Sequence, residues 1–435
     1  MKRLLLLLSL GFGLCLQAQE DSLYTAWEVM DIALQNNLRI QIAKSDADIA
    51  RINNNWGNAG RWPIIVANAA NTEALSSINQ KLSNGNEIQS SGVTNNVLNA
   101  NINAQWRLYS GMRVKATKER FEELEKRSDI VVKQEIAALG YDVLNVYYLL
   151  IRLHQQVNAT SGIIGLSEER LKIAETRFNV GSAAKTDMLQ AAIDLNAQKV
   201  TLENLNRQIR QTKAILNTLL KRSPESPIDA ADSTYSIQLI SLGEYRSKID
   251  TQNYQLLIAQ RERAILVQDR KIINAQRLPI LSLNSVTNFN RNVSSAGFFL
   301  TNTSYGPNIG LGLSIPIFNS NIVKTQLRVN EVQQKQQVLQ TDLLRTEIQR
   351  DLQVAFTEYE NALKVSEIER NNVKLAEENN FIATERFRKL QSNSIELRQA
   401  QVSLIDAQDR YINAQYRAKL AASTIQFLAG EVFVY

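Results

Sequence analysis

ETRFNVGSAAKTDMLQA, residues 175–191, returns as TERFRKLQSNSIELRQA at 384–400. At this spacing of 209 residues Arg177 aligns with Arg386, Phe178 with Phe387, Asp187 with Glu396 and Gln190 with Gln399. Upstream, RWPII at 61–65 returns as RLPIL at 277–281, 216 residues on, and the same offset brings Asn37 onto Asn253 and Ala43 onto Ala259. The seven-residue difference falls between these anchors, where the first copy carries the longer hairpin loop. The chain is one unit written twice, and a period this long sets the architecture before any element is assigned.

Prolines divide each copy. They stand only at 63, 224, 227, 279, 307 and 316, so residues 113–223 and 317–435 are free of helix breakers. In the second copy Ala400, Leu404, Ala407, Tyr411, Ala414, Ala418, Ala421, Ile425 and Leu428 alternate steps of four and three. The first copy places Ala191, Leu195, Gln198, Leu202, Leu205, Ile209, Thr212, Leu216 and Leu219 at the equivalent positions. A 3.5-residue seam is what knobs-into-holes packing of paired helices requires, whereas an ordinary core-facing stripe is broader. A helix from Arg113 to about Val180 would reach roughly 100 Å, too long for a compact domain of this size. Gly181 and Ser182 offer a reversal, because glycine enters φ > 0 without steric cost. Leu390 occupies that place in the second copy, so its turn is expected at Ser392 and Asn393.

Between the two helical parts of each copy lies a strand pair. Leu98, Ala100, Ile102, Ala104, Trp106 and Leu108 alternate with Asn99, Asn101, Asn103, Gln105 and Arg107. Ile309, Leu311, Leu313, Ile315 and Ile317 alternate with Gly310, Gly312, Ser314 and Pro316, and the return strands are 64–70 and 280–290. Strands of about 9 to 11 residues, apolar on one side and polar on the other, suit a lipid-facing barrel around a wet lumen. A half-buried soluble sheet alternates in the same way. The aromatic residues Trp62, Trp106, Tyr109 and Phe318 sit at the helix-proximal strand ends, where a membrane-interface girdle belongs. Four strands cannot close a barrel, and an open edge is not tolerated in lipid, so a membrane sheet of this kind needs partners. Three chains supply about twelve strands, within the range of known barrels.

Composition excludes other classes. Residues 1–19 have the basic start, apolar run and small-residue end of a secretory signal, whose removal would take the net charge from +6 to +4. Cys15, the only cysteine, would leave with it, and Leu14 stands where a lipoprotein signal wants a small residue. No later run approaches the ~20 consecutive apolar residues of a membrane-spanning helix. Interspersed charges read as solvated helix faces, not as a nucleic-acid surface. With one histidine, His154, in the helical stretch YYLLIRLHQQ and no mature cysteine, neither a catalytic triad nor a zinc site of His and Cys ligands can be assembled. Cofactors and metals are expected to be absent, and His154 is expected on a helix surface or in packing.

The duplicated RWP and RLP junctions, the strand-to-helix junctions WRLYSG and IPIFNS, and RFNVGSAAKTDMLQA with its duplicate resemble the TolC family of outer-membrane efflux proteins. The likeness runs from AWEVMDIALQNN near Ala26 to LAGE at Leu428. It implies a mainly α fold with a small transmembrane β part. Long antiparallel coiled-coil helices would form an α-barrel, and four strands per chain would join a twelve-stranded trimeric barrel. The expected organisation is a signal at 1–19, a first repeat at 20–222 (hairpin about 63–109, helical hairpin about 111–222) and an equatorial segment at 223–242. The second repeat follows at 243–435 (hairpin about 279–318, helical hairpin about 319–430).

The resemblance further implies a pore constriction carried by Glu396, Gln399, Ser392 and Phe387. Relatives often hold carboxylates at both of the first two positions; this chain holds one, giving a single acidic ring, which favours cations. Some relatives carry arginine at the place of Ser392 and tyrosine at that of Phe387. The turns containing Val180, Gly181, Ser182, Ala183, Leu390, Gln391 and Asn393 would dock a periplasmic adaptor. The expected partners are two further copies, that adaptor, a proton- or ATP-driven inner-membrane transporter and outer-membrane lipid. The expected role is a passive exit duct of a tripartite efflux or type I secretion system in a Gram-negative outer membrane, with a long periplasmic extension. Drug, metal and protein cargo are all compatible with a duct, metal least so, since only Met30, Met112, Met188 and His154 offer soft or borderline ligands after processing. The alternative class is a structural or adhesive trimeric coiled coil without a pore, which leaves the duplicated strand hairpin unexplained.

Overall fold

The computed structural model describes residues 23–231, 235, 240–297 and 299–431. The expected signal at 1–19, with Cys15, lies outside the described residues. The elements run β1 (Leu23–Tyr24), α1 (Ala26–Asn36), α2 (Leu38–Asn53), β2 (Ile64–Lys81), β3 (Glu87–Ser110), α3 (Arg113–Asn179) and α4 (Lys185–Leu219). Then follow β4 (Asp229–Ala230), α5 (Leu242–Gln252), α6 (Tyr254–Ala275), β5 (Ile280–Ser294), β6 (Thr301–Ser314), α7 (Ile322–Arg388) and α8 (Ser394–Leu428). The duplication holds element by element: α3 and α7 have 67 residues each, α4 and α8 have 35 each, and α1 and α5 have 11 each.

The aligned pair Asn37 and Asn253 marks the same break in both copies. Asn37 separates α1 from α2 and its side-chain oxygen accepts from Arg39 N–H at 2.8 Å. Asn253 separates α5 from α6 and its Oδ1 caps Leu256 N–H at 3.1 Å. Each amide satisfies a helix-start donor that would otherwise lack a partner.

Left-handed backbone recurs at the 209-residue spacing. Gly111 and Met112 precede α3 with φ of 62° and 68°, and Ser320 and Asn321 precede α7 with φ of 51° and 63°. Gly181 and Leu390 end α3 and α7 at φ of 75° and 62°, while Lys221 and Gly430 follow α4 and α8 at 56° and 77°. The hydrogen bonds match too: Ser182 N–H donates to Arg177 O and Gln391 N–H to Arg386 O, both at 2.8 Å. The second tip therefore turns at Leu390, not at the expected Ser392 and Asn393. The i to i−5 bond, the 6→1 closure of a helix C-terminus, fixes the reversal at the helix end, and the leucine adopts a conformation that costs an L-residue about 1–2 kcal/mol.

The chain forms two compact units. The helical unit takes residues up to Gln41, Glu135–Gln252 and Ile348 onward. Its core gathers Val29, Met30 and Ala33 of α1, Val143, Tyr147 and Leu150 of α3, and Ile209 and Leu216 of α4. α3 carries one stretch as apolar as a membrane-spanning helix, more than half of it buried, although its apolar residues do not form an unbroken run. The coiled-coil seams are interior: Ala191, Leu195, Leu205, Ile209, Thr212 and Leu216 are buried on α4, and Ala400, Leu404, Ala407, Ala414, Ala418, Ala421 and Ile425 on α8. β1 pairs with β4 in parallel, tying the start of the described chain to the segment between the repeats.

The sheet unit takes Ile42–Gln134 and Asn253–Glu347. Its four strands are antiparallel in the order β2, β3, β5, β6. At 18, 24, 15 and 14 residues they exceed the expected 9 to 11, because each hairpin continues pairing past the alternating stretch toward its loop. The flanking helices are laced by Arg120 to Asp269 at 2.7 Å, Lys271 to Glu119 at 2.8 Å and Arg127 to Glu262 at 3.0 Å, between α3 and α6.

Candidate functional site

Pairing register assigns every strand residue to a face, since directly opposed residues project to the same side. One face carries Ile65, Ala67, Leu98, Ala100, Ile102, Ala104, Trp106, Leu281, Leu283, Phe289, Tyr305, Ile309, Leu311 and Leu313. Ile65, Ile102, Tyr305, Ile309, Leu311 and Leu313 are bare, from 54% exposed at Ile102 to 82% at Tyr305, while Leu98, Trp106, Leu281 and Leu283 are half-buried. The other face carries amides: Asn68, Asn101 and Asn288 form one cross-strand row, Asn99 and Asn290 a second, Gln105 and Asn284 a third. Asn68 Nδ2 donates to Asn101 Oδ1 at 3.0 Å, and Asn290 Nδ2 donates to Asn99 Oδ1. An unpartnered aliphatic face backed by an amide face is the reverse of a soluble sheet, which hides its apolar side. Among the described residues β2 and β6 each pair with one strand only, so both sheet edges are open.

A bulge corrects one assignment. The β3–β5 register shifts between Arg107 and Tyr109, so Tyr109 opposes Leu281 and joins Trp106 on the aliphatic face, while Leu108 becomes the inserted residue. The expected alternation through Leu108 therefore ends at Trp106. Trp106 Nε1 donates to Arg61 O at 2.8 Å, fixing the ring beside the strand entry.

The helical unit ends at two turns, 180–184 and 390–393. Asn393 Oδ1 caps α8 by accepting from Glu396 N–H at 2.9 Å, and Arg386 Nη1 donates to Glu396 Oε1 at 2.6 Å. The carboxylate expected to stand as a bare acidic ring thus has a counter-charge from its own chain, on the opposite side of the turn. Its first-turn position also favours negative charge. Gln399 is exposed, and the Ser392 hydroxyl is buried without a hydrogen-bond partner. Phe387 moves from the expected constriction to the hairpin interior: it is 2% exposed, packed with Ala383, Leu397 and Ala400, and covered by the Arg177 guanidinium at 4.8 Å. The aligned arginines have diverged, Arg177 onto an aromatic face and Arg386 onto a carboxylate. Val180 and Leu390 are exposed apolar tips. Behind them Asp194 of α4 accepts from Arg170 of α3 at 2.5 Å and Arg398 of α8 at 3.0 Å, with Arg170 only 2% exposed.

The family model described as "Outer membrane efflux protein" matches residues 29–221 and 245–431. The chain belongs to this family. The family is one of outer-membrane channels, not enzymes, and this outer membrane efflux protein is an efflux channel of that kind. Among curated protein sequences none matches. Its fold is similar to a Pseudomonas aeruginosa membrane protein (TM-score 0.78, 17% identity, covering 95% of this chain and 92% of that one). It is also similar to the outer-membrane channel OprN (0.76, 16%, 95% and 93%) and to the outer membrane protein VceC of Vibrio cholerae (0.75, 18%, 94% and 97%).

In this efflux protein His154 is not idle. Its Nε2 lies 2.6 Å from Asp229 Oδ1, and Lys213 Nζ lies 2.9 Å from Asp229 Oδ2. Burial by itself would raise the Asp229 carboxyl, but hydrogen bonds from His154 and Lys213 overcome that and hold it down at about 2. The cluster joins α3, α4 and β4 next to the β1–β4 pair. The residues missed in sequence are those whose meaning depends on pairing: Asp194 with its two arginines, and Arg386 facing Glu396. The only advance signal was the alignment of Arg386 with Arg177.

Proposed function

We propose that three copies of this chain close their open sheet edges on one another to form a twelve-stranded barrel in a Gram-negative outer membrane. The observation that carries this reading is the four-stranded sheet itself, aliphatic and bare on one face, amide-lined on the other, with β2 and β6 unpaired on their outer sides. Joining β6 of one copy to β2 of the next removes all six edges of three sheets. Trp62, Trp106, Tyr109 and Phe318 then lie at the headgroup level. The helices extend into the periplasm, as expected for an exit duct of a tripartite efflux or type I secretion system.

The duct is passive and uses no cofactor, the driving force coming from an inner-membrane transporter. Val180, Gly181, Ser182, Ala183, Leu390, Gln391 and Asn393 meet the periplasmic adaptor. Glu396 and Gln399, with Ser392 beside them, line the narrow end. Phe387 supports this end from within the hairpin.

The test is conductance of the purified protein in planar bilayers, with cross-linking of cysteines placed on β2 and β6. Discrete channels and β2–β6 cross-links between copies are the expected result. A folded monomer that forms no channels would end the reading. Val180→Asp combined with Leu390→Asp should abolish export while leaving the trimer in the membrane; unchanged export would refute docking at the tips.

A further inference from the structure

At the base of β3 a groove of about 350 Å³ lies between the loop before β2 and the start of α3, lined by Trp56, Arg61, Trp106, Tyr109, Met112 and Lys115 among others. Arg61 sits 4.9 Å from the Trp56 ring and 5.6 Å from the Trp62 ring, and Lys118 approaches Trp56 at 5.8 Å. Arg107 also lines the groove, and no acidic residue does. Among the described residues Arg61 and Arg107 are in no ion pair, and Lys115 reaches Glu119 only at 4.0 Å.

The same chemistry stands at the same junction in the second copy. A groove of about 630 Å³ there is lined by Arg277, Phe318, Lys324, Arg270, Arg328 and Glu331 among others. Arg277 aligns with Arg61, Phe318 with Tyr109 and Lys324 with Lys115. Glu331 is the one acid against four cations; Lys335 bonds it at 2.9 Å, and Arg270 and Arg328 also bear on it electrostatically. Two grooves whose sequences have otherwise diverged keep an arginine, an aromatic ring and a lysine at matched positions.

We infer that these two grooves bind the phosphate headgroups of anionic phospholipids. The register places Trp106 and Tyr109 on the same side as the bare aliphatic face, so a headgroup held by Arg61 and Lys115 has its acyl chains beside Leu281, Leu283 and Leu313. An excess of cations over acids in both linings is complementary to a phosphodiester, which arginine engages with two donors. Tryptophan and tyrosine supply the amphipathic wall that suits the interface. This inference rests on the barrel reading above.

Three of the four tryptophans, Trp56, Trp62 and Trp106, stand at the first groove, and Trp27→Phe removes the fourth. The experiment titrates that variant, as the intact protein in bilayers, with brominated phosphatidylglycerol and brominated phosphatidylcholine, and reads tryptophan quenching. Phosphatidylglycerol should be preferred by roughly fivefold per cation at low salt. Arg61→Gln with Lys115→Gln should bring the preference close to unity, and Arg61→Lys should restore most of it. Phe318→Trp places a reporter in the second groove, where Arg277→Gln should lower the preference in the same way. Equal quenching by the two lipids in the unmutated groove, or a preference unchanged by Arg61→Gln with Lys115→Gln, would overturn the assignment alone. No quenching by either lipid would instead place the sheet outside the bilayer and overturn the barrel reading beneath it.

Discussion

Gly111 offers a way to separate two costs that usually arrive together, backbone strain and steric contact. It opens α3 with φ of 62°, and a Cβ added there would lie 2.6 Å from Leu278 Cβ and 2.8 Å from Ala275 O. Ser320, its partner in the duplication, holds the same left-handed conformation with a side chain already present. Strain alone is thus tolerable at this junction. For Gly111→Ala the left-handed penalty, about 1–2 kcal/mol, is partly offset by about 0.4–1 kcal/mol of lost unfolded-state entropy. The contact with Leu278 and the α6 carbonyl adds about 1–3 kcal/mol of overpacking. We expect a destabilisation of about 1–4.5 kcal/mol for Gly111→Ala and under about 0.5 kcal/mol for Ser320→Ala, where no new atom is introduced. Urea unfolding of the detergent-purified protein, followed by helical circular dichroism, measures both. Equal midpoints for the two variants would show that helix α6 does not press on this junction, and the account of the close approach would be wrong.

Further expectations follow from single contacts. Leu390→Gly should stabilise the fold by about 0.5–1 kcal/mol through relief of left-handed strain, whereas a loss of stability would assign the exposed leucine a packing role. Asp194→Ala strands the buried Arg170 and should cost about 3–5 kcal/mol in urea unfolding; a cost below about 1 kcal/mol would mean that solvent reaches the arginine. Asp229 titrates at about 2 in the folded state against 3.8 ordinarily, so its contribution, ~2 kcal/mol, is complete above about pH 4 and fades as pH falls toward 2. Asp229→Asn should lower stability at neutral pH and flatten that acid decline, and an unchanged pH profile would remove the His154–Lys213 cluster as its cause. In planar bilayers Glu396→Gln should reduce cation preference and Arg386→Gln should raise it, because the two side chains neutralise each other at 2.6 Å. If neither moves the reversal potential, Glu396 is not at the constriction.

The sequence alone determined the duplication, the helix-hairpin-helix order of each copy, the coiled-coil seams and the two chemistries of the strand faces. These are properties of spacing, and spacing survives in a one-dimensional string: a 3.5-residue seam or an alternation of Asn99, Asn101 and Asn103 with Ala100 and Ile102 is visible before anything folds. What only the tertiary structure decided depends on which residues meet. The bulge at Leu108 is a relation between two strands, and it moved Tyr109 to the aliphatic face. The turn at Leu390 is fixed by a hydrogen bond from Gln391 back to Arg386, which overrides the preference of leucine for right-handed backbone. Phe387 lies under the Arg177 guanidinium inside the hairpin, and Glu396 carries Arg386 as a counter-charge, neither of which the spacing of residues reveals. Identity and period are local, so they can be read; turn conformation, burial and pairing depend on which groups meet in three dimensions, and only folding brings those together.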